Sequence, residues 1–205
     1  MLQETFERVL PGARKSTKRH ILQCALECFL ENGLESTTID TIRQRSDTSV
    51  GTIYHHFGNK EGLVAALFFT ALDDHKAVMW PELERASTPK TVIEGLVHGY
   101  IHWVTRQPEL ARFMFLARAS VAAGPFSEEL ATRNREQYSF LHKWLAEGVK
   151  IGDIRSLPKE TYPSLLFGPA ENYCRAWLSG RVPTPPSDHA SVFAESAWWS
   201  LAHIN

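Results

Sequence analysis

Apolar positions recur at intervals of three and four residues almost from one end of the chain to the other, and strict alternation is absent, so the pattern predicts an all-α fold. A first helix is expected from about Thr17 to Glu31, with Ile21, Ala25 and Phe29 on one stripe and Leu22, Leu26 and Leu30 on the next. Asn32-Gly33 supplies a left-handed stop. Ser36, Thr37 and Thr38 offer hydroxyl N-caps for a short second helix, Ile39 to about Arg45. Asp47-Thr48-Ser49 interrupts it, and a third short helix, Val50 to Phe57, follows and ends at Gly58-Asn59. Asn59 then caps a longer fourth helix, from Lys60 or Glu61 to about Val78, that closes before Trp80-Pro81.

Beyond Pro81 the predicted helices lengthen: Lys90 to Arg106, Pro108 to Ser120, Ser127 to Lys150, Lys159 to Leu178 and Ser187 to His203. Gln107-Pro108, Ala123-Gly124-Pro125, Gly152-Asp153 and the proline-rich stretch from Arg181 to Pro186 separate them. The result is about nine helices, a small three-helix head followed by a larger helical bundle. Gly168-Pro169 falls inside the eighth helix, where proline removes an N–H and frees the carbonyl of Leu165, so a kink or cavity wall is expected there. Glu171 or Asn172 would then point inward.

Composition narrows the class. With 205 residues, 43% hydrophobic and 22% charged, the chain can bury a real core in two unequal parts. The formal net charge of -1 hides a basic cluster, Arg14, Lys15, Lys18 and Arg19 with His20, so near-neutrality does not exclude nucleic acid. Cys24, Cys28 and Cys174 follow no zinc or disulfide spacing and read as small buried apolar residues. No segment approaches the roughly 20 apolar residues that span a bilayer, and no targeting segment opens the chain, so a reducing, cytoplasmic setting is expected.

The densest chemistry lies in Ser49–Leu63, S-V-G-T-I-Y-H-H-F-G-N-K-E-G-L. Neighbouring helical residues point roughly 100 degrees apart, so His55 and His56 cannot readily chelate one ion. His98 and His102 stand one turn apart but lack a third ligand. No metal site, cofactor motif, nucleophile elbow or paired-carboxylate site emerges, and no catalytic residue is assigned: an enzyme is not supported. Two short helices joined by a tight turn form instead a helix-turn-helix, whose second helix can enter the DNA major groove. Val50, Gly51, Thr52, Tyr54 and His55 suit close approach to a duplex, while Ile53, Phe57 and His56 would face inward against Ile39, Ile42 and Phe29.

The segment running from Phe29-Leu30-Glu31-Asn32-Gly33 through Thr37-Thr38-Ile39 and Ile42 to Ser49–Phe57 and Lys60-Glu61-Gly62-Leu63 resembles the TetR family of transcriptional regulators. The resemblance covers roughly residues 17 to 65; the remainder matches in layout only. It implies DNA contacts from Thr38 to a phosphate, from Ser49 and Thr52 to phosphate or base edges, from Tyr54 and His55 to the backbone, and from Lys60 as a phosphate clamp, with Val50 and Gly51 on the approaching surface. Lys60 also has independent physics, because a helix N-terminus with a lysine completes an anion site. Asp47 replaces the family's turn glycine, and Arg43 and Ser46 its alanines; aspartate tolerates the left-handed conformation better than most residues.

The same resemblance divides the chain into an N-terminal arm (1–16), a helix-turn-helix DNA-binding domain (17–60) and a ligand-binding and dimerisation domain (61–205). Candidate ligand contacts are Tyr100 and Trp103 on the fifth helix, Phe113 on the sixth, Tyr138 and His142 on the seventh, and Asn172 or Tyr173 on the eighth. The last two helices mix small and large apolar residues suited to a homodimer interface. The implied function is that of a repressor, bound as a dimer to a near-palindromic operator of double-stranded DNA and released by a small apolar or aromatic effector. A helical small-molecule-binding protein without a DNA function is the alternative.

Overall fold

Each capping signal in the head finds its backbone partner in the computed structural model, which describes residues 2–203 and so leaves Met1, Ile204 and Asn205 outside the account. Ten α-helices follow one another among the described residues: α1 Leu2–Val9, α2 Ser16–Ser36, α3 Ile39–Ser46, α4 Val50–Phe57, α5 Lys60–Arg85, α6 Pro89–Arg106, α7 Pro108–Ala123, α8 Ser127–Ile151, α9 Tyr162–Leu178 and α10 Ala190–Leu201. Short 3-10 turns at Ala13–Lys15, Lys159–Thr161 and Pro186–His189 lead into α2, α9 and α10. An isolated antiparallel bridge joins Ile154 to Ala202.

Gly33 leaves the helical region at φ 80°, interrupting α2 where the Asn-Gly stop is expected. The buried hydroxyl of Thr37 lies 3.0 Å from the Cys28 carbonyl and 2.7 Å from that of Gly33, closing the end of the helix. Thr38 is the residue that caps α3, its Oγ1 accepting from the N–H of Thr41 at 3.1 Å. Asp47 sits in the left-handed region, φ 46° and ψ 42°, and is the one such non-glycine residue among those described. Ser49 caps α4 by accepting from Thr52 N–H at 3.0 Å, and Asn59 caps α5 by accepting from Gly62 N–H at 2.7 Å.

Three elements differ from the pattern's expectation. The expected N-terminal arm contains helix α1, because Thr5 and Phe6 on one of its faces are buried. α5 does not close before Trp80-Pro81 but continues to Arg85: Pro81 is exposed, so the carbonyl its ring releases is near solvent, while Met79 and Leu83 on either side are buried anchors. α9 likewise runs unbroken through Gly168-Pro169. A side chain before proline clashes in the helical conformation, and glycine has none. The carbonyl freed at Leu165 meets Ser200 Oγ at 3.3 Å.

The chain clusters into two compact units, Met1–Asp74 with Gln107–Thr132, and His75–Arg106 with Arg133–Asn205. In the first, Phe6, Phe29, Ile42, Ile53, Leu67, Phe68 and Phe113 are buried, and α2 packs on α3 and α7. α1 is fastened there by Arg8, whose Nε and Nη2 donate to Oδ1 of the fully buried Asp74 at 3.0 and 2.5 Å. Gln107 Nε2 donates to the buried Thr5 Oγ1 at 2.8 Å. In the second, α10 packs along α6 and α9. Gly99 lets α6 approach α5 closely, for a Cβ there would stand 2.9 Å from Met79 Cγ.

Candidate nucleic-acid interface and effector cavity

α4 is held by its inner face and shows its outer one. Ile53 and Phe57 are buried, four residues apart as one helical stripe requires. On the other side Ser49, Val50, Gly51, Tyr54 and His55 are exposed, Tyr54 by 49%, with Thr52 half-buried beside them. All eight residues expected at a DNA surface therefore lie on or beside this helix or at the starts of its neighbours: Thr38 is exposed at the N-cap of α3, and Lys60 is half-buried at the first turn of α5. The hydroxyls of Ser49 and Thr52 sit 2.8 Å apart, and Lys60 Nζ donates to the Glu35 carbonyl at 3.1 Å.

Gly51 is informative by what does not surround it. A Cβ there would meet only Ser49 Oγ, at 3.7 Å, so nothing inside the protein requires glycine. Glycine, even in the first turn of a helix, loses more backbone freedom on folding than alanine does. The space it leaves open is on the outer surface.

Positive charge gathers at the same edge. Lys18 of α2 places Nζ 5.7 Å from the Phe57 ring centroid, and the rings of His55 and His56 are 5.3 Å apart. His56 is half-buried between His55 and Phe57, and its pKa lies below the ordinary value, first through desolvation and then through the positive charges of His55 and Lys18. Sequence spacing gives no hint that Lys18 reaches α4, because the contact crosses from a helix nearly forty residues earlier. The other cluster members divide: Arg14 and Lys15 are exposed, but Arg19 Nη1 donates to the carbonyls of Leu10 and Gly12 at 2.7 and 2.8 Å.

Within the second unit a narrow crevice of about 20 Å³ opens between helices. Lys76, Met79, Trp80 and Leu83 of α5 form one wall, and Leu96 of α6, Tyr138, Phe140 and Leu141 of α8 and Phe167 of α9 form the rest. Of the seven expected ligand contacts, Tyr138 lines it; Tyr100 stands directly behind Phe167, ring centroids 5.6 Å apart, and Trp103 is buried near Tyr100's other neighbour, His75. The remaining four are elsewhere. Phe113 is buried in the first unit against Phe29, 5.7 Å away; periodicity marks its stripe as apolar but cannot say which core the stripe faces. His142 and Asn172 are exposed, His142 stacked on Tyr138 at 6.5 Å. Tyr173 donates its hydroxyl to the Thr184 carbonyl at 3.2 Å and packs on His189 and Phe193.

His75 has no counterpart in the sequence reading. It is buried on α5, its ring 5.8 Å from Tyr100 and 5.1 Å from Trp103, and Nε2 has no hydrogen-bond partner. Burial pushes its pKa down to about 4. The signal available was positional: 75 falls on the apolar stripe of Phe68, Ala71 and Met79, where a polar ring is anomalous. His98 and His102 are exposed, and no group of three metal-ligating side chains occurs among the described residues. The three cysteines are buried and free, with thiols pushed up by burial, Cys174 to about 12.

A helix-turn-helix that exposes its second helix precedes a helical bundle with a crevice. Residues 21–67 match the family model for bacterial regulatory proteins of the tetR family. The chain is a DNA-binding transcriptional regulator. The HTH-type transcriptional repressor KstR2 of Mycolicibacterium smegmatis is 29% identical over 153 residues, covering 71% of each chain. Among solved structures, a TetR family regulator from Marinobacter aquaeolei VT8 superposes with a TM-score of 0.79 at 20% identity, covering 93% of this chain and 98% of that one. FadR of Bacillus subtilis, solved with stearoyl-CoA, gives a TM-score of 0.71 at 17% identity, covering 88% and 97%. Regulators of the family bind operator DNA as dimers and bind small-molecule effectors. No helix among the described residues is long and apolar enough to cross a membrane.

Proposed function

We propose that the protein is a homodimeric repressor whose α4 enters the major groove of a near-palindromic operator and which a small, largely apolar effector releases. The observation that carries this is the outer face of α4: Gly51 keeps a surface open at a cost in helix stability, beside exposed Tyr54 and His55 and a rim of positive charge from Lys18 and Lys60. In this scheme Thr38, Ser49, Thr52, Tyr54, His55 and Lys60 contact phosphates or base edges, and Val50 and Gly51 allow the approach. Residues 17–60 serve as the DNA-binding domain and 61–205 as the ligand-binding and dimerisation domain, without catalysis, in the cytoplasm.

The effector reading rests on the crevice, which is mostly apolar and, with about 20 Å³ of room, must widen to admit a ligand. α5 connects it to the head, because Lys76 to Leu83 line the crevice while Gly62 at the other end of the same helix abuts the last turn of α4. An effector that favours one position of α5 shifts the equilibrium between operator-bound and released forms by its differential affinity for the two. Dimerisation is assigned to α9 and α10, where Val192 and Trp199, one heptad apart, are 63% and 60% exposed.

Fluorescence anisotropy with a mixed-sequence duplex tests the DNA assignment. Affinity should fall steeply between low and moderate salt, since phosphate contacts release counterions. Tyr54→Phe and Lys60→Ala should weaken binding to every duplex alike without altering sequence preference. Undiminished affinity in both variants would remove their phosphate roles.

A further inference from the structure

The chain passes between its two compact units at three places: Asp74–His75 within α5, Arg106–Gln107 where α6 gives way to α7, and Thr132–Arg133 within α8. At the second, Gln107 is the one residue between two helices, at φ -126° and ψ 55°, so bending there falls on a single backbone position. α1 is fastened at the first two crossings. Gln107 Nε2 donates to Thr5 Oγ1 at 2.8 Å, Arg8 Nη2 donates to the same oxygen at 3.4 Å, and Arg8 Nε and Nη2 donate to Asp74 Oδ1 at 3.0 and 2.5 Å. A continuous run of hydrogen bonds therefore leads from one crossing, over α1, to the other.

Three of its four members are shut away from water: Thr5 is 1% exposed, Gln107 8% and the Asp74 side chain 0%, while Arg8 reaches the surface. Such a run is stiff, because a member that moves leaves its neighbour without a hydrogen bond and without water to replace it. Burial of Phe6 would keep α1 on the first unit by itself, but apolar contact is non-directional and does not fix which residues of α5 and α7 the helix meets. The crossing in α5 lies on the route between crevice and head, for Gly62 abuts the end of α4 and Lys76 to Leu83 line the crevice.

We propose that Thr5 and Arg8 are positioning residues for operator binding: they strap the chain at Asp74 and Gln107 and so hold each head at the spacing that two half-sites require. This rests on the two-headed, dimeric reading above. A population argument sets the sign. Where bending at the crossings spreads a head over several positions, only the fraction with the correct spacing engages both half-sites, and apparent affinity falls by that fraction. A single half-site makes no demand on spacing. Thr5 is buried, so its effect cannot come from touching the duplex.

Thr5→Val, Arg8→Met and Arg8→Lys, each in the full chain, are compared with the wild type on two duplexes, one carrying the inverted repeat selected from a random-sequence pool and one carrying a single half-site of it. Fluorescence anisotropy gives both affinities, corrected for the folded fraction by stoichiometric titration, and hydrogen exchange follows residues 70–78 and 104–110 around the crossings. In Thr5→Val and Arg8→Met the preference for the inverted repeat over the half-site should fall about threefold to tenfold, with half-site affinity unchanged and exchange faster at both crossings. Arg8→Lys keeps a charged donor for Asp74 and should recover part of the preference. Thr5→Val is close in shape to the original and carries the comparison where Arg8→Met costs too much stability. A preference equal to the wild type's, a fall in both affinities by the same factor, or faster exchange confined to α1 would each overturn the positioning role. A wild type that binds the inverted repeat no more tightly than the half-site overturns the two-headed reading, and this inference with it.

Discussion

Gly51 and His75 are both residues whose own stability argues against them. Gly51→Ala should raise the melting temperature of the head, corresponding to at most about 0.5–1 kcal/mol, because the new Cβ meets nothing closer than Ser49 Oγ at 3.7 Å. The same methyl projects onto the surface assigned to DNA, so duplex affinity should fall by tenfold or more. A variant that is more stable and binds DNA as well as wild type would show that the open space serves no approach. His75 makes an acid-sensitive contribution whose sign is fixed by its depressed pKa. Between about 4 and the unfolded value near 6.5 the unfolded chain takes up a proton that the folded protein refuses, so stability is full above 6.5 and declines as pH falls toward 4. At pH 5 the loss is on the order of 2 kcal/mol. Urea unfolding of wild type and His75→Phe at pH 7 and 5 isolates it: the variant should lose less stability on acidification. Equal losses would mean the ring is not held neutral.

At the scale of elements, the junction between α4 and α5 has no slack. A Cβ at Gly62 would fall 2.0 Å from the Phe57 carbonyl oxygen, a backbone atom that cannot rotate away. Gly62→Ala should therefore destabilise the protein by about 2 kcal/mol or more despite alanine's better helix propensity, and should uncouple effector binding from DNA release. α1 is the second fastening. Arg8→Met removes a donor from the fully buried Asp74 carboxylate and should cost about 2 kcal/mol in denaturant unfolding; a loss near zero would make the ion pair incidental. The caps at Thr38 and Asn59 and the left-handed Asp47 were legible in the sequence because each is settled between one side chain and the next few backbone groups. The ends of α1 and α5 were not, since burial of Phe6 and of Met79 with Leu83 depends on what the rest of the chain presents to them. For the same reason periodicity identified Phe113 as apolar without revealing that it pairs with Phe29, and overlooked His75 and Lys18, whose neighbours are distant in sequence.

For the whole molecule, the central claim is that two copies present their α4 helices to adjacent major-groove faces of one duplex. Two-fold symmetry then dictates the operator: two inverted half-sites about 34 Å apart, or a small multiple of a helical turn. The exposed Val192 and Trp199 on α10 supply the test of pairing, for replacing both with glutamate should give a monomer by sedimentation that still binds non-specific DNA weakly. The most direct measurement is selection of tightly bound duplexes from a random-sequence pool, followed by sequencing. The account predicts an enriched inverted repeat whose half-sites lie a whole number of helical turns apart, bound with high salt dependence and lost in Gly51→Ala. Failure to enrich any sequence, or enrichment of a single asymmetric site unaffected by that substitution, would contradict it.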